Sequence, residues 1–196
     1  MTTPIEYAHA NGETFRQQLH DLIRIPSVST DSQYAGDVRR AADWLAAELK
    51  RIGMENVAVM PTAGHPVVYA DWLHAGADKP TVLIYGHYDV QPADKVKDNW
   101  TSEPFEPIER DGFIYARGSS DDKGQAYIHV KAAEAYLKTE GKLPVNVKFI
   151  LEGEEEIGSK NLQDFLKTYA AMLKADVAVI SDTGMTSADQ PEITRS

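Results

Sequence analysis

The chain has 196 residues, 42% hydrophobic and 26% charged, which suffices for one well-buried domain and excludes a disordered or fibrous chain. Its formal charge of -10 argues against a nucleic-acid partner, because a site on the phosphate backbone needs clustered Lys and Arg. No cysteine is present, so disulfides, thiolate metal sites and cysteine nucleophiles are excluded, and any metal must be held by His, Asp and Glu.

The opening MTTPIEYAHANGETF lacks the basic and apolar regions of a secretion signal, and no stretch approaches the roughly 20 apolar residues of a membrane span. The expectation is a soluble, cytoplasmic protein with no membrane partner. Phe15, Leu19, Leu22 and Ile23 make an apolar stripe on a first helix that Pro26 ends. SVSTDSQYAGD reads as a polar loop. Val38, Ala41, Ala42, Leu45, Leu49 and Ile52 repeat the stripe on a second helix, with Gly53 placed to close it in the left-handed conformation. Strands are predicted at Val57–Met60, Val67–Trp72 and Thr81–Tyr85, the last an unalternated TVLIY run of the kind buried on both faces.

A long loop with Pro92, Pro104 and Pro107 leads to PIERDGFIY, a hairpin whose Asp111-Gly112 pair suits a tight turn. Ala126, Val130, Ala133 and Leu137 predict a helix from Asp122 to about Thr139, followed by a buried strand from Val145 to Leu151. Ser159 is read as the cap of a helix carrying Leu162, Phe165, Leu166, Tyr169 and Leu173, and VAVIS as the final, buried strand. Strands alternating with helices predict an α/β fold, a three-layer sandwich around a mixed, mostly parallel central sheet. The chain stops at DQPEITRS without a terminal helix, as though a longer protein had been cut.

Acids and one histidine gather where these strands end. In YGHYDVQP, His87 and Asp89 stand two apart at a strand terminus and project to one face. A carboxylate so placed can accept from the imidazole nitrogen that is not on a metal, although the pattern alone fits a structural histidine equally well. In RGSSDDKG, one of Asp121 and Asp122 is accounted for as a helix N-cap, and the other is open to a second task such as bridging two cations. EGEEEIGS places Glu154, Glu155 and Glu156 just past a strand, and Asp182 follows VAVIS. Ligands of open α/β sheets bind beyond the carboxyl ends of strands, and one His with several carboxylates suits zinc, cobalt or manganese.

GHYDVQP, NWTSEPFEP, RGSSDDKG, LEGEEEIGS and ISD, in that order, resemble the zinc exopeptidase family of dipeptidases, carnosinase-type enzymes, aminoacylase, acetylornithine deacetylase and succinyl-diaminopimelate desuccinylase, nearest its cytosolic dipeptidase branch. The resemblance implies a zinc-peptidase-like catalytic domain of which residues 1–196 are the N-terminal portion, the lid and dimerisation domain and the C-terminal part of the catalytic domain being absent. It implies two divalent ions, zinc first and manganese or cobalt as alternatives. His87, Asp121 and Asp182 would hold one; Asp121 would bridge to a second held by Glu156 and by a histidine from the far C-terminal part.

Glu155 and Asp89 would be the catalytic residues, Glu155 as general base and Asp89 as the brace of His87, with a cis peptide bond between Asp121 and Asp122. Glu154 is expected to be a solvated loop residue. The implied reaction is hydrolysis of a peptide bond in a dipeptide or short peptide by a di-zinc-activated water. An N-acyl amino acid deacylase or desuccinylase with the same site, or a non-catalytic fragment, are the alternatives. The full-length protein would be a homodimer through the lid, and the 196-residue piece alone would hold at most one metal firmly and be inactive or nearly so. Ser119, Ser120 and Ser181 show no matching base and are assigned to turns. Trp100, Pro104 and Phe105 either line the cleft or pack on the sheet. His129 is read as a boundary residue, and His9, His20, His65 and His74 are set aside for want of an acidic partner at ligand spacing.

Overall fold

The computed structural model describes residues 2–187 and 190–191. Its first helix is one that the apolar pattern does not announce. Pro4–Ala10 (α1) begins on Thr3, whose hydroxyl accepts the Glu6 backbone N–H at 3.2 Å while the Glu6 carboxylate accepts the Thr3 N–H at 2.8 Å. That reciprocal pairing satisfies two otherwise orphaned donors. Gly12–Ile23 (α2) carries the Leu19, Leu22, Ile23 stripe and ends just before Pro26.

The segment SVSTDSQYAGD is a loop only in part. Asp31 accepts the Gln33 N–H at 2.9 Å and starts a 3-10 turn at Ser32–Tyr34, and Ala35 already opens α3 (Ala35–Ile52). Gly53 closes α3 with φ 106°, the left-handed cap the sequence anticipates.

Three strands follow, β1 (Glu55–Met60), β2 (Val67–Trp72) and β3 (Thr81–His87). The hairpin β4 (Ile108–Arg110) and β5 (Phe113–Tyr115) turns through Asp111 and Gly112, both at positive φ (53° and 82°), as a two-residue turn requires. Then come α4 (Lys123–Thr139), β6 (Asn146–Glu152), a 3-10 turn at Glu155–Ile157, α5 (Leu162–Thr168), α6 (Ala170–Leu173) and β7 (Val177–Ile180). A small pair, β8 (Met185–Ser187) and β9 (Gln190–Pro191), ends the described chain.

The main sheet has the order β1-β2-β6-β3-β7. β2 pairs antiparallel with both β1 and β6, while β6, β3 and β7 are mutually parallel, so four strands run one way and β2 against them. Alternation sorts the side chains into two cores. Val68, Ala70 and Trp72 of β2, Ile84 of β3 and Val147, Phe149 and Leu151 of β6 pack with Leu22, Leu45, Leu49 and Val130 of the helices on one face. Val67, Tyr69 and Ile150 pack with Phe165 and Leu173 on the other. This is the three-layer α/β sandwich expected.

Several local expectations are corrected. Ser159 is not a helix cap: it has φ 48° and its hydroxyl donates to Glu152 Oε1 at 2.8 Å, and Asn161 precedes α5 instead. The helix expected through Leu173 breaks at Tyr169 into α5 and α6. β7 is neither buried nor final: as an edge strand with β3 as its one partner in the sheet it leaves Val177 and Ile180 exposed, and β8 and β9 come after it. With only this short strand beyond it, β3 is half-buried at Thr81–Leu83 and Tyr85 rather than enclosed throughout. The reading of DQPEITRS as lacking a helix falls mainly on residues 189 and 192–196, outside the described residues. Among the described residues no helix is long and apolar enough to cross a membrane.

Candidate metal centre

The three parallel strands finish at one edge of the sheet, and that edge gathers the acids. His87 is the last residue of β3 and stands in register with Glu152, the last of β6, while Asp182 lies two residues past β7. Opposite them α4 begins, preceded by Asp121 and Asp122, whose peptide bond is cis. The approach is close enough to require a glycine: a Cβ on Gly86 would sit 2.7 Å from Asp122 Oδ2 and 2.9 Å from the Ala126 Cβ.

His87 is fully buried. Its backbone N–H donates to Asp122 Oδ2 at 2.9 Å, so Asp122 acts through its carboxylate on β3 rather than capping α4 with its side chain. His87 Nδ1 is 3.1 Å from the Asp89 carbonyl and 3.3 Å from Asp89 Oδ1. His87 Nε2 faces Asp121 Oδ1 at 3.0 Å, Asp182 Oδ2 at 3.6 Å and Glu155 Oε2 at 3.9 Å, yet makes no hydrogen bond. His87, Glu155 and Asp182 each present one donor atom within 4.8 Å of the others. Asp121 approaches from the open side, its side chain 61% exposed.

Asp89, also fully buried, is more than a brace. Besides standing beside His87 it accepts the backbone N–H of Glu155 at 3.2 Å and of Glu156 at 3.1 Å, and the Ser29 hydroxyl at 2.6 Å. The three consecutive glutamates therefore have three environments. Glu155 turns toward His87. Glu156 turns to Gln91, whose Nε2 donates to its carboxylate at 2.8 Å. Glu154 is the correction: it is 5% exposed, not solvated, and its carboxylate accepts the backbone N–H of His65 at 3.1 Å and of Asn161 at 3.3 Å, together with the Asn161 side-chain amide. A carboxylate inside a loop satisfies converging N–H groups that would otherwise be orphaned.

The electrostatics follow from crowding. Burial alone would lower the His87 pKa, but Asp89, Asp122 and Asp121 outweigh it and raise it to about 10. Burial pushes Asp122 up to about 7 against the lowering contribution of the His87 N–H. Burial also raises Glu155, with His87 opposing and Asp182 and Glu156 adding to the rise. A buried imidazole nitrogen left unbonded among three carboxylates is a donor set that fits a divalent cation.

Other residues find structural partners. The buried Lys123 ammonium donates to the Leu22 carbonyl at 3.1 Å and the Ile25 carbonyl at 2.6 Å, satisfying acceptors at the end of α2, and burial lowers its pKa to about 7. His129 does find a partner, the Ser181 hydroxyl, and His74 Nε2 meets Glu55 Oε2 at 2.8 Å across 19 residues, an acid that sequence spacing does not reveal. His20 is buried 3.4 Å from Glu109. Phe105 lines a cavity of about 450 Å³ with Val28, Tyr34 and Pro92, and Arg117 lies over the Trp100 ring. Ser29 and Gln91 contact the centre, and Glu152 stands in register with His87, without having been singled out for it; the signal for Glu152 and Gln91 was their place inside the quoted LEGEEE and YDVQP motifs, while Ser29 carried none.

The model of peptidase family M20/M25/M40 matches residues 83–194. The chain is 40% identical over 205 residues to a beta-Ala-His dipeptidase of Rattus norvegicus, covering 96% of this chain and 41% of that protein. It is 33% identical over 196 residues to the Cys-Gly metallodipeptidase dug1 of Schizosaccharomyces pombe, covering 93% and 40%. The structure of human carnosine dipeptidase 1 superposes with a TM-score of 0.83 at 34% identity, over 92% of this chain and 40% of that one. The chain thus spans about two fifths of the length of these relatives.

Proposed function

Because the chain belongs to peptidase family M20/M25/M40, we propose that it serves the metal-dependent hydrolysis of a peptide bond in dipeptides or short peptides. The observation that carries this reading is the fully buried His87 whose Nε2 lacks a hydrogen bond while carboxylates of Asp121, Asp182 and Glu155 face it. The dipeptidase names of the similar proteins support the substrate class.

In this reading His87, Asp121 and Asp182 hold one divalent ion, and Asp121 with Glu156 contributes to a second, zinc being the ion proposed. Such ions supply Lewis acidity, which lowers the pKa of water and polarises a carbonyl. The protein's own groups do the rest. Asp89 takes the Nδ1 proton of His87 as a hydrogen bond and so presents the Nε2 lone pair to the site. Glu155, half-exposed and carrying a raised pKa, accepts the proton of the attacking water and delivers it to the leaving amine. Glu156, its carboxylate oriented by the Gln91 amide, balances positive charge.

We propose further that residues 1–196 form the N-terminal portion of the catalytic domain, that the remaining ligand of the second ion comes from outside them, and that the assembled protein is a cytoplasmic homodimer. The chain alone then holds at most one metal firmly and is inactive or nearly so. The test is hydrolysis of a dipeptide panel against N-acyl amino acids, with and without chelator, by a form of the protein that carries the second-site histidine. Chelator-sensitive cleavage of dipeptides is the expected result; cleavage of the N-acyl compounds alone points to a deacylase, and full activity in chelator overturns the metal reading.

A further inference from the structure

Residues 27–29 lie beneath the metal centre although they come from the loop between α2 and α3, outside the family-matched residues 83–194. They run alongside residues 88–90 as a second, short parallel pairing. Val28 bridges Val90, the Val90 N–H donates to the Ser27 carbonyl at 3.0 Å, and the Ser27 hydroxyl donates to the Tyr88 carbonyl at 2.6 Å. Ser29, itself buried, reaches the side chain between them, donating to Asp89 Oδ2 at 2.6 Å.

The Asp89 carboxylate has two oxygens and two tasks. Oδ1 faces His87 Nδ1 and the Glu155 N–H; Oδ2 accepts from Ser29 and from the Glu156 N–H. The Ser29 bond is the shortest of the four, and it is the one supplied by neither the histidine nor the glutamate loop. His87 and the two loop amides sit on parts that Asp89 itself positions, so their contacts alone do not tie the carboxylate plane to the rest of the fold. A fourth contact anchored in a separate segment fixes the plane.

We propose that Ser29 is a positioning residue of the metal centre: its hydroxyl locks the carboxylate plane of Asp89, and through Asp89 it sets the orientation of both His87 and the loop bearing Glu155 and Glu156. The inference rests on the reading of His87 as a metal ligand. It concerns the shell behind the ligands, where loss of an orienting hydrogen bond weakens metal affinity about 10 to 100-fold.

The experiment is zinc affinity by chelator competition, with thermal unfolding in parallel, on the wild-type chain and on Ser29→Ala, Ser29→Thr, Ser29→Val, Ser27→Ala, Asp89→Ala and His87→Ala. The expected result is about 10-fold weaker zinc binding for Ser29→Ala, in the direction of Asp89→Ala, with recovery in Ser29→Thr. Ser27→Ala, which loosens the same segment without touching the Asp89 side chain, should leave zinc affinity nearly unchanged. Should Ser29→Ala fail to fold, Thr against Val at position 29 compares two side chains of similar size that differ in the hydroxyl, and the affinity should follow the hydroxyl. Wild-type affinity in Ser29→Ala alongside a weakened Asp89→Ala overturns the positioning role while leaving the metal reading in place. Equal losses in Ser29→Ala and Ser27→Ala that track unfolding temperature overturn it as mere packing. Undiminished zinc binding by His87→Ala overturns the metal reading itself, and the inference with it.

Discussion

Asp89 Oδ2 accepts the backbone N–H of Glu156 at 3.1 Å, so the residue that stands beside His87 also seats the glutamate loop. Two strand ends are thereby joined through one buried carboxylate. Asp89→Ala should weaken zinc affinity about 10 to 100-fold without abolishing it, because an orienting group and not a ligand is removed. It should also cost roughly 3 kcal/mol of stability, since the Glu155 and Glu156 amides lose a charged acceptor. Chelator competition and denaturant unfolding measure the two effects; unchanged affinity with the stability loss alone would make Asp89 a purely structural residue.

Glu155 and Glu156 differ in what they face, and their loss should differ accordingly. Glu155 points toward His87 Nε2 at 3.9 Å, whereas the Glu156 carboxylate is held by Gln91. In a form of the protein with a complete site, Glu155→Ala should keep its metal content and lose about 100 to 10,000-fold in kcat, the range for a positioned acid–base group. Glu156→Ala should lose metal from one site. Metal analysis beside kinetics separates them, and near-normal kcat in Glu155→Ala would remove it from the base role.

What could be read beforehand was whatever depends on near neighbours. The β2 strand Val67–Trp72, the Asp111-Gly112 turn and the Gly53 cap lie where local pattern puts them, because burial period and positive φ are written into adjacent residues. The convergence of His87, Asp121, Glu155 and Asp182 was legible as a set of strand and helix ends; the separate roles assigned to them came from resemblance, not spacing. α1 was missed because it buries none of its side chains and so shows no apolar stripe; its signal is the Thr3–Glu6 capping box. Ser29 was missed, and Glu154 misread as solvated, for a different reason. Ser29 meets Asp89 60 residues away, and Glu154 meets His65 89 residues away as well as Asn161 seven residues on; no periodic pattern encodes such contacts.

Glu154 supplies a contrast within the same motif. Its carboxylate collects the His65 N–H and both Asn161 donors in a buried loop. Glu154→Ala should destabilise the protein by roughly 3 kcal/mol by leaving those donors unpaired, while zinc affinity at His87 stays as in the wild type. Denaturant unfolding with a parallel chelator competition tests both halves. A metal defect without a stability defect would mean that Glu154 serves the centre directly.

The last expectation concerns acid. Glu48, buried between α3 and α4, meets Arg51 at 2.7 Å and also the Lys131 ammonium, and Tyr127 donates to it at 3.2 Å. Burial pushes its pKa up, but the hydrogen bonds and charges of Arg51 and Lys131 outweigh burial and hold it at about 2, below the ordinary 4.5. A carboxylate depressed in the folded state contributes stability that is present above the unfolded value and is lost as pH falls through the folded one. The window is therefore pH 4.5 down to 2, and the contribution is about 3 kcal/mol. Glu134 shares Arg51 and Lys131 with Glu48, so the contribution of Glu48 is isolated by comparing the wild type with Glu48→Gln. The variant should be less stable at pH 7 and lose less between pH 4.5 and 2, with the two curves converging in acid. Unfolding free energies that run parallel across that window would show that the Glu48 carboxylate gains nothing from its two cations on folding.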